Sequence, residues 1–173
     1  MSTPDGLTLA RHRDLVGRRG AIWVRRSALA LLALVALLGA LNVFGQKPET
    51  TTAETAGAKL SLYAPSRLRG GLIYEARFHV TARTDLKKAT LVLDQGWAEG
   101  QSINTIEPSP IGETSVDGKL GFMLGDIPAG RSHVLYMQFQ VNPTNVGHRS
   151  TGVSLYAGKR ELLRIDHATT FFP

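Results

Sequence analysis

Residues 72–83 read LIYEARFHVTAR, and their hydrophobicity alternates with a period of two. Leu72, Tyr74, Ala76, Phe78, Val80 and Ala82 fall on one side, and Ile73, Glu75, Arg77, His79, Thr81 and Arg83 on the other. Successive side chains of a β-strand point to opposite faces, so the pattern predicts one face on a core and one in water. Residues 131–141 repeat it, with Leu135, Met137, Phe139 and Val141 set against Val134, Tyr136, Gln138 and Gln140. Shorter strands are expected at 59–64, 88–94, 101–107, 113–116, 119–124, 150–157 and 160–166. Asp117-Gly118, between Val116 and Lys119, reads as a hairpin turn because glycine accepts the positive φ that a two-residue turn needs. Residues 125–130 (GDIPAG) and 142–145 (NPTN) are loops by composition, and 158–160 (GKR) joins two late strands. No stretch after residue 46 sustains a 3.6-residue repeat. Seven to nine short strands over 59–173 predict an all-β domain, a two-sheet sandwich.

Upstream of the strands the chemistry changes. Residues 27–46, SALALLALVALLGALNVFGQ, carry no charge, and only Asn42 is strongly polar. A helix of ~20 such residues spans the ~30 Å hydrocarbon layer, so this segment is expected to be transmembrane and to contact the lipid bilayer. Trp23 precedes it at the depth where an indole prefers the headgroups. Of the formal charge of +6, a net +4 sits in residues 1–26, where six arginines face only Asp5 and Asp14. Lys47 and Lys59 are the first basic residues beyond the run. The positive-inside rule then puts the 1–26 tail in the cytoplasm and the β domain outside, in a plasma-membrane protein. A cleavable export signal is the rival reading, although its apolar core is ordinarily shorter, ~7–15 residues. Residues 47–58 (KPETTTAETAGA) lack large apolar side chains and read as a flexible spacer ahead of the 59–173 domain. With most of the charge excess in the tail and only +2 over the remaining residues, the globular part shows no nucleic-acid-binding footprint.

A resemblance attaches to three segments: GGLIYEARFHVTA (70–82), ATLVL (89–93) and LGDIPAGRSHVLYMQFQV (124–141). Over residues 59–166 the succession resembles the immunoglobulin-like repeat domains of bacterial surface proteins, including their glycine–acid–apolar corner at 125–130. The resemblance implies an immunoglobulin-like sandwich with adhesive, spacer or partner-binding duties and no catalytic residues to carry over. A single copy here departs from the tandem arrays of that group.

The chain has no cysteine, which excludes disulfides, thiolate metal sites and a cysteine nucleophile. Its five histidines, His12, His79, His133, His148 and His167, form no H-x-x-x-H or H-x-H pair and have no acidic cluster beside them. There is no G-x-S-x-G elbow and no glycine-rich phosphate loop opening a helix. No catalytic, cofactor or metal residue is therefore nominated. Three loops exceed what folding requires: 94–100 (DQGWAEG), 104–110 (NTIEPSP) and 140–147 (QVNPTNVG). Trp97 reads either as a plug over the end of the β domain or as an anchor for a partner. From these loops Trp97, Glu99, Asn104, Pro108, Pro110, Asn142, Pro143 and Asn145 are the candidate partner-binding residues. Residues 171–173 (FFP) read as an edge strand or a docking tail. The expectation is a membrane-tethered, non-enzymatic module that binds another membrane or envelope protein. The alternatives are a module for cell-wall polymer, which needs exposed aromatics from among Trp97, Tyr74 and Tyr156, and a cryptic hydrolase. The latter needs a pocket joining His133 or His148 to a carboxylate and a serine.

Overall fold

A computed structural model describes residues 19–43 and 45–173, which divide into two units, the second beginning at Gly45. In the first, α1 (Arg19–Ala40) is a helix of 22 residues. Its Gly20–Ala40 portion is long and apolar enough to cross a membrane. The helix starts and stops earlier than the expected 27–46. It continues back through the apolar Ala21-Ile22-Trp23-Val24, and it carries Arg25 and Arg26, good helix formers, within it. It ends where Asn42 adopts φ 55°. The Asn42 N–H donates to Gly39 O at 3.0 Å and the Val43 N–H to Leu38 O at 3.0 Å, the paired bonds of a Schellman cap. Apolar side chains are exposed around α1, Trp23 at 69% and Leu32 at 66%. The guanidinium of Arg26 lies 5.9 Å over the Trp23 ring.

The second unit, from Gly45 onward, is built of strands: β1 (Pro48–Glu54), β2 (Ala58–Pro65), β3 (Arg67–Arg69), β4 (Ile73–Ala82), β5 (Leu86–Leu93), β6 (Gln101–Glu107), β7 (Gly112–Val116), β8 (Lys119–Ile127), β9 (Ser132–Val141), β10 (Gly147–Ser150), β11 (Val153–Ala157), β12 (Arg160–Ile165) and β13 (Ala168–Phe172). They form two five-stranded sheets, ordered β1-β2-β4-β9-β6 and β12-β11-β5-β8-β7, and a small sheet ordered β10-β13-β3. Neighbours in the larger sheets are antiparallel, whereas β13 runs parallel to β3.

The two alternating segments become β4 and β9, paired from Ile73↔Gln140 to Thr81↔Ser132. Tyr74, Ala76, Phe78, Val80 and Ala82 are buried, as are Leu135, Met137, Phe139 and Val141. They join Leu91, Leu93, Phe122, Val153, Leu155 and Ile165 of the other large sheet, with Phe171 of β13, in one continuous apolar cluster. Each Val, Leu, Ile, Phe or Met side chain among them contributes roughly 1.5–3 kcal/mol by leaving water. The β7–β8 hairpin closes on Asp117 and Gly118, at φ 50° and 74°, as a turn with both central residues left-handed.

Three expectations about the strands also differ from the structure. Residues 47–58 are not a free spacer, because 48–54 form β1, paired residue for residue with β2 from Pro48↔Pro65 to Glu54↔Lys59. A run of β-branched threonines suits a pleated edge even without large apolar groups. The strand is tied down where Arg83 donates to Glu54 Oε2 at 2.7 Å and to Thr55 O at 3.0 Å. The 150–157 strand is divided into β10 and β11, which belong to different sheets. Finally, residues 171–172 belong to β13, a strand flanked on both sides rather than an edge or a tail.

Candidate functional site

The eight residues nominated from sequence go to three places. Trp97, in a short 3₁₀ turn over 95–97, is 1% exposed. Its ring centroid lies 5.0 Å from Phe139 and 5.4 Å from Phe78, and its indole N–H donates to Gly152 O at 3.1 Å. Trp97 is a plug, its ring enclosed and out of a partner's reach. Glu99, Asn142, Pro143 and Asn145 gather around two glycines. Asn142 donates its N–H to Gly100 O at 3.0 Å, the buried Asn145 amide packs where a Cβ of Gly100 would stand, and Pro143 closes on Gly70. Asn145 is therefore a brace, unavailable to a partner. Asn104 is the extra residue of a β-bulge in β6, lying between the pairs Ile103↔Phe139 and Thr105↔Gln138. Pro108, exposed after a cis Glu107–Pro108 bond, and the half-buried Pro110 follow that strand.

Beside Trp97 is a charge cluster that no local pattern announces. The carboxylate of Asp94, at the end of β5, is only 7% exposed. It accepts Arg164 Nη2 at 2.5 Å and Arg164 Nη1 at 3.1 Å, Lys119 Nζ at 2.9 Å and the Ser150 hydroxyl at 2.7 Å. Burial alone would raise the Asp94 pKa, but hydrogen bonds from Arg164, Lys119 and Ser150 outweigh it and hold the carboxyl well below the usual range. The same contact, with Asp166 adding to it, holds Arg164 firmly protonated. Gly152 makes this corner possible, because a Cβ there would lie 2.6 Å from Asp94 Oδ2 and 2.9 Å from Arg164 Nη2. Likewise, a Cβ at Gly96 would collide with the carbonyl oxygen of Ser150. A buried chain runs on from here: Tyr74 Oη donates to Gln101 Oε1 at 2.8 Å, and Gln101 Nε2 donates to Gly96 O at 2.8 Å. Burial pushes the Tyr74 phenol far up.

A shallow groove of about 520 Å³ borders this corner, lined by Asp94, Glu99, Lys119, His148, Ser150 and Arg164 among others. Here a histidine, a serine and carboxylates do approach one another. However, the Ser150 hydroxyl is given to Asp94, a carboxylate made a weak base by its cations, and His148 Nδ1 is hydrogen-bonded to Thr170 Oγ1 at 3.1 Å. His133 and His167 are half-buried, each with an Nε2 that has no partner among the described residues, and burial lowers both pKa values. Among the described residues no group of three or more histidines and carboxylates is arranged to hold a metal ion.

The outer face of the β1-β2-β4-β9-β6 sheet is different. Register places Tyr63 opposite Arg77, Arg77 opposite Tyr136, and Tyr136 opposite Glu107, a row across β2, β4, β9 and β6. The Arg77 guanidinium is 5.0 Å from the Tyr63 ring centroid and 5.7 Å from that of Tyr136. Its Nε donates to Glu75 Oε1 at 2.6 Å, and that bond raises the Arg77 pKa. A shallow depression lined by Glu75, Thr105, Glu107, Tyr136 and Gln138 lies alongside. The face offers a fixed guanidinium, two phenols, two carboxylates and an amide, set on strands rather than loops. Tyrosine and arginine concentrate binding energy at protein interfaces because they bring large contact area and directed donors together. Arg77 and Tyr136 sit at outward phases of the two strands that the sequence declares most clearly. Tyr63 was not foreseen, because strand register is invisible in a single sequence. Of the aromatics on the face, Tyr136 is exposed and Tyr63 half-buried, whereas Tyr74 and Trp97 are buried.

No protein-family model and no curated protein matches the sequence. Among solved structures, the chain is similar to a GH20 exo β-N-acetylglucosaminidase from Vibrio harveyi in complex with N-acetylglucosamine. The TM-score is 0.32 and the identity 10%, over 74% of this chain and 18% of that one. An inactive mutant of the Vibrio harveyi enzyme gives 0.31 and 11%, over 74% and 18%. The chain spans less than a fifth of those enzymes' length, and a likeness of this grade carries no argument about fold or function.

Proposed function

We propose that this chain is a single-pass, membrane-anchored, non-enzymatic module whose extracytoplasmic domain binds another membrane or envelope protein. On this reading α1 crosses the bilayer, with the arginine-rich tail in the cytoplasm and residues from about 46 onward outside. The domain is an immunoglobulin-like sandwich of the two five-stranded sheets. Support for the anchor is the uncharged run with six arginines on one flank. Support for the sandwich is the single apolar cluster to which both large sheets contribute.

The observation that carries the binding role is the Tyr63–Arg77–Tyr136 row, held on rigid strands and flanked by Glu75, Glu107 and Gln138. Folding alone does not require an arginine between two tyrosines on a water-facing sheet. Polymer binding is the weaker reading, because sugar rings stack on open aromatic faces and both phenol rings here are engaged by the guanidinium. The test is affinity capture of the full chain, in detergent, from envelope extracts, comparing the natural sequence with Arg77→Ala and Tyr136→Ala. One stoichiometric protein recovered by the natural sequence and lost from both variants is the expected outcome. Equal recovery by all three, or recovery of cell-wall polymer alone, would refute it.

A further inference from the structure

The small β10-β13-β3 sheet turns Leu68 and Phe171 inward and sends their neighbours out. Its outer side presents Arg67 and Arg69 from β3 and Phe172 from β13, with Val146 just ahead of β10. Register sets Arg67 beside Thr170 and Arg69 beside Phe172. Phe172 is 44% and Val146 52% exposed, and Leu72, beyond the next turn, adds a further partly exposed side chain. Among the described residues, neither arginine has a carboxylate within ion-pair distance, in contrast to Arg77, Arg83, Arg149 and Arg164. Glu49, whose charge acts on His167, pairs with Ala64, three residues before Arg67.

Two uncompensated guanidiniums interleaved with exposed phenylalanine, valine and leucine suit a surface that is anionic outside and apolar beneath. That is the chemistry of a bilayer containing acidic phospholipid. Position points the same way. The chain enters the domain at Pro48, which pairs with Pro65, two residues before Arg67. Only residues 41–47 lie between the end of α1 and the start of β1. Fully extended, such a link spans at most roughly 28 Å, so the chain's entry into the domain at Pro48 is tethered within that reach of the end of α1.

We propose that the Arg67–Arg69–Phe172 face docks on the anionic phospholipid surface of the membrane that holds α1. The proposal rests on the anchor reading above and is independent of any protein partner. Lipid phosphates receive the guanidinium donors, and Phe172 and Val146 settle at the level of the acyl boundary.

The absence of cysteine makes the test direct. Pro173→Cys and, separately, Ala129→Cys are introduced into the full chain and labelled with an environment-sensitive fluorophore. Ala129 lies in the turn beside Ala82, at the far end of β4 from Ile73. The proteins are reconstituted in nanodiscs of phosphatidylcholine alone or with phosphatidylglycerol, and quenching by neutral acrylamide is measured. The expected result is about threefold less quenching at 173 in the anionic discs. The label at 129 should not change, and Arg67→Glu with Arg69→Glu should return 173 to its neutral-disc value. Equal quenching at 173 in both lipids, insensitivity to the charge reversal, or reversal by soluble glycerol phosphate would overturn the proposal. Failure of the anchor reading shows separately, as a chain that does not float with the lipid.

Discussion

Arg164 and Arg77 make the same kind of contact with opposite consequences. Each donates to a carboxylate, at 2.5 and 2.6 Å, from a strand of a large sheet. The acceptor of Arg164 is 7% exposed and gathers two more donors, Lys119 and Ser150, whereas Glu75, the acceptor of Arg77, is 46% exposed. A desolvated carboxylate has no water to fall back on, so its donors become part of the fold. An exposed pair exchanges with water at little cost, which leaves Arg77 free to act on something outside the chain. The distance of an ion pair says little about its role; the solvation of the carboxylate decides it.

The Asp94 corner is most vulnerable at Trp97, whose backbone N–H donates to Asp94 O and whose indole N–H donates to Gly152 O. Trp97→Ala is expected to cost about 3–5 kcal/mol in urea unfolding, since it empties the site between Phe78 and Phe139 and orphans Gly152 O. Next, Asp94→Ala is expected to cost about 2–3 kcal/mol, because charge-assisted bonds are lost and Arg164 is left without its main acceptor. A loss under about 0.5 kcal/mol would place Asp94 in the same class as Glu75.

The acid limb of stability sharpens the contrast. Asp94 has a folded pKa below its unfolded one, so its contribution is complete above about pH 4 and is lost as pH falls from there toward the folded value. His133 and His167 are also held below their ordinary values, by burial. Stability should therefore start to decline below about pH 6.5, where the unfolded histidines take up protons and the folded ones do not. Denaturant midpoints across pH should show both windows. Asp94→Asn should flatten the lower window alone, and His133→Leu should shrink the upper one.

The smallest effects on stability belong to the exposed row. Arg77→Ala and Tyr136→Ala should change unfolding free energy by no more than about 1 kcal/mol while weakening partner capture at least about tenfold. Glu75→Gln should lie within about 0.5 kcal/mol of the natural chain. If Arg77→Ala destabilised the domain as much as Asp94→Ala, the row would be a structural strut, and the difference between the two sites would vanish.

How legible all this was in the sequence depends on how local the signal is. The inward faces of β4 and β9 and the Asp117-Gly118 turn follow from side-chain period and backbone sterics within a dozen residues. β1 escaped because Thr50, Thr51 and Thr52 bury little apolar surface, and the strand exists through its pairing with β2. β3 escaped, and β13 was legible only at its 171–172 end, because strands this short hold each other across the length of the domain. Asp94 reads as an ordinary loop acid until β12 brings Arg164 and β8 brings Lys119 to it. The ends of α1 were misplaced because lipid-compatible composition is uniform along a run, while the stop is a backbone event at Asn42.

The bond from the Thr169 hydroxyl to Pro65 O spans 104 residues of sequence. A ribosome adds roughly 5–20 residues each second, so β3 emerges about 5–20 s before the strand that covers it. During that interval Leu68 and the open backbone of β3 are sticky to any passing strand. Crowded synthesis should therefore favour mispairing of newborn copies at this seam, and a helper that shields strand edges should raise the yield of correctly closed domains.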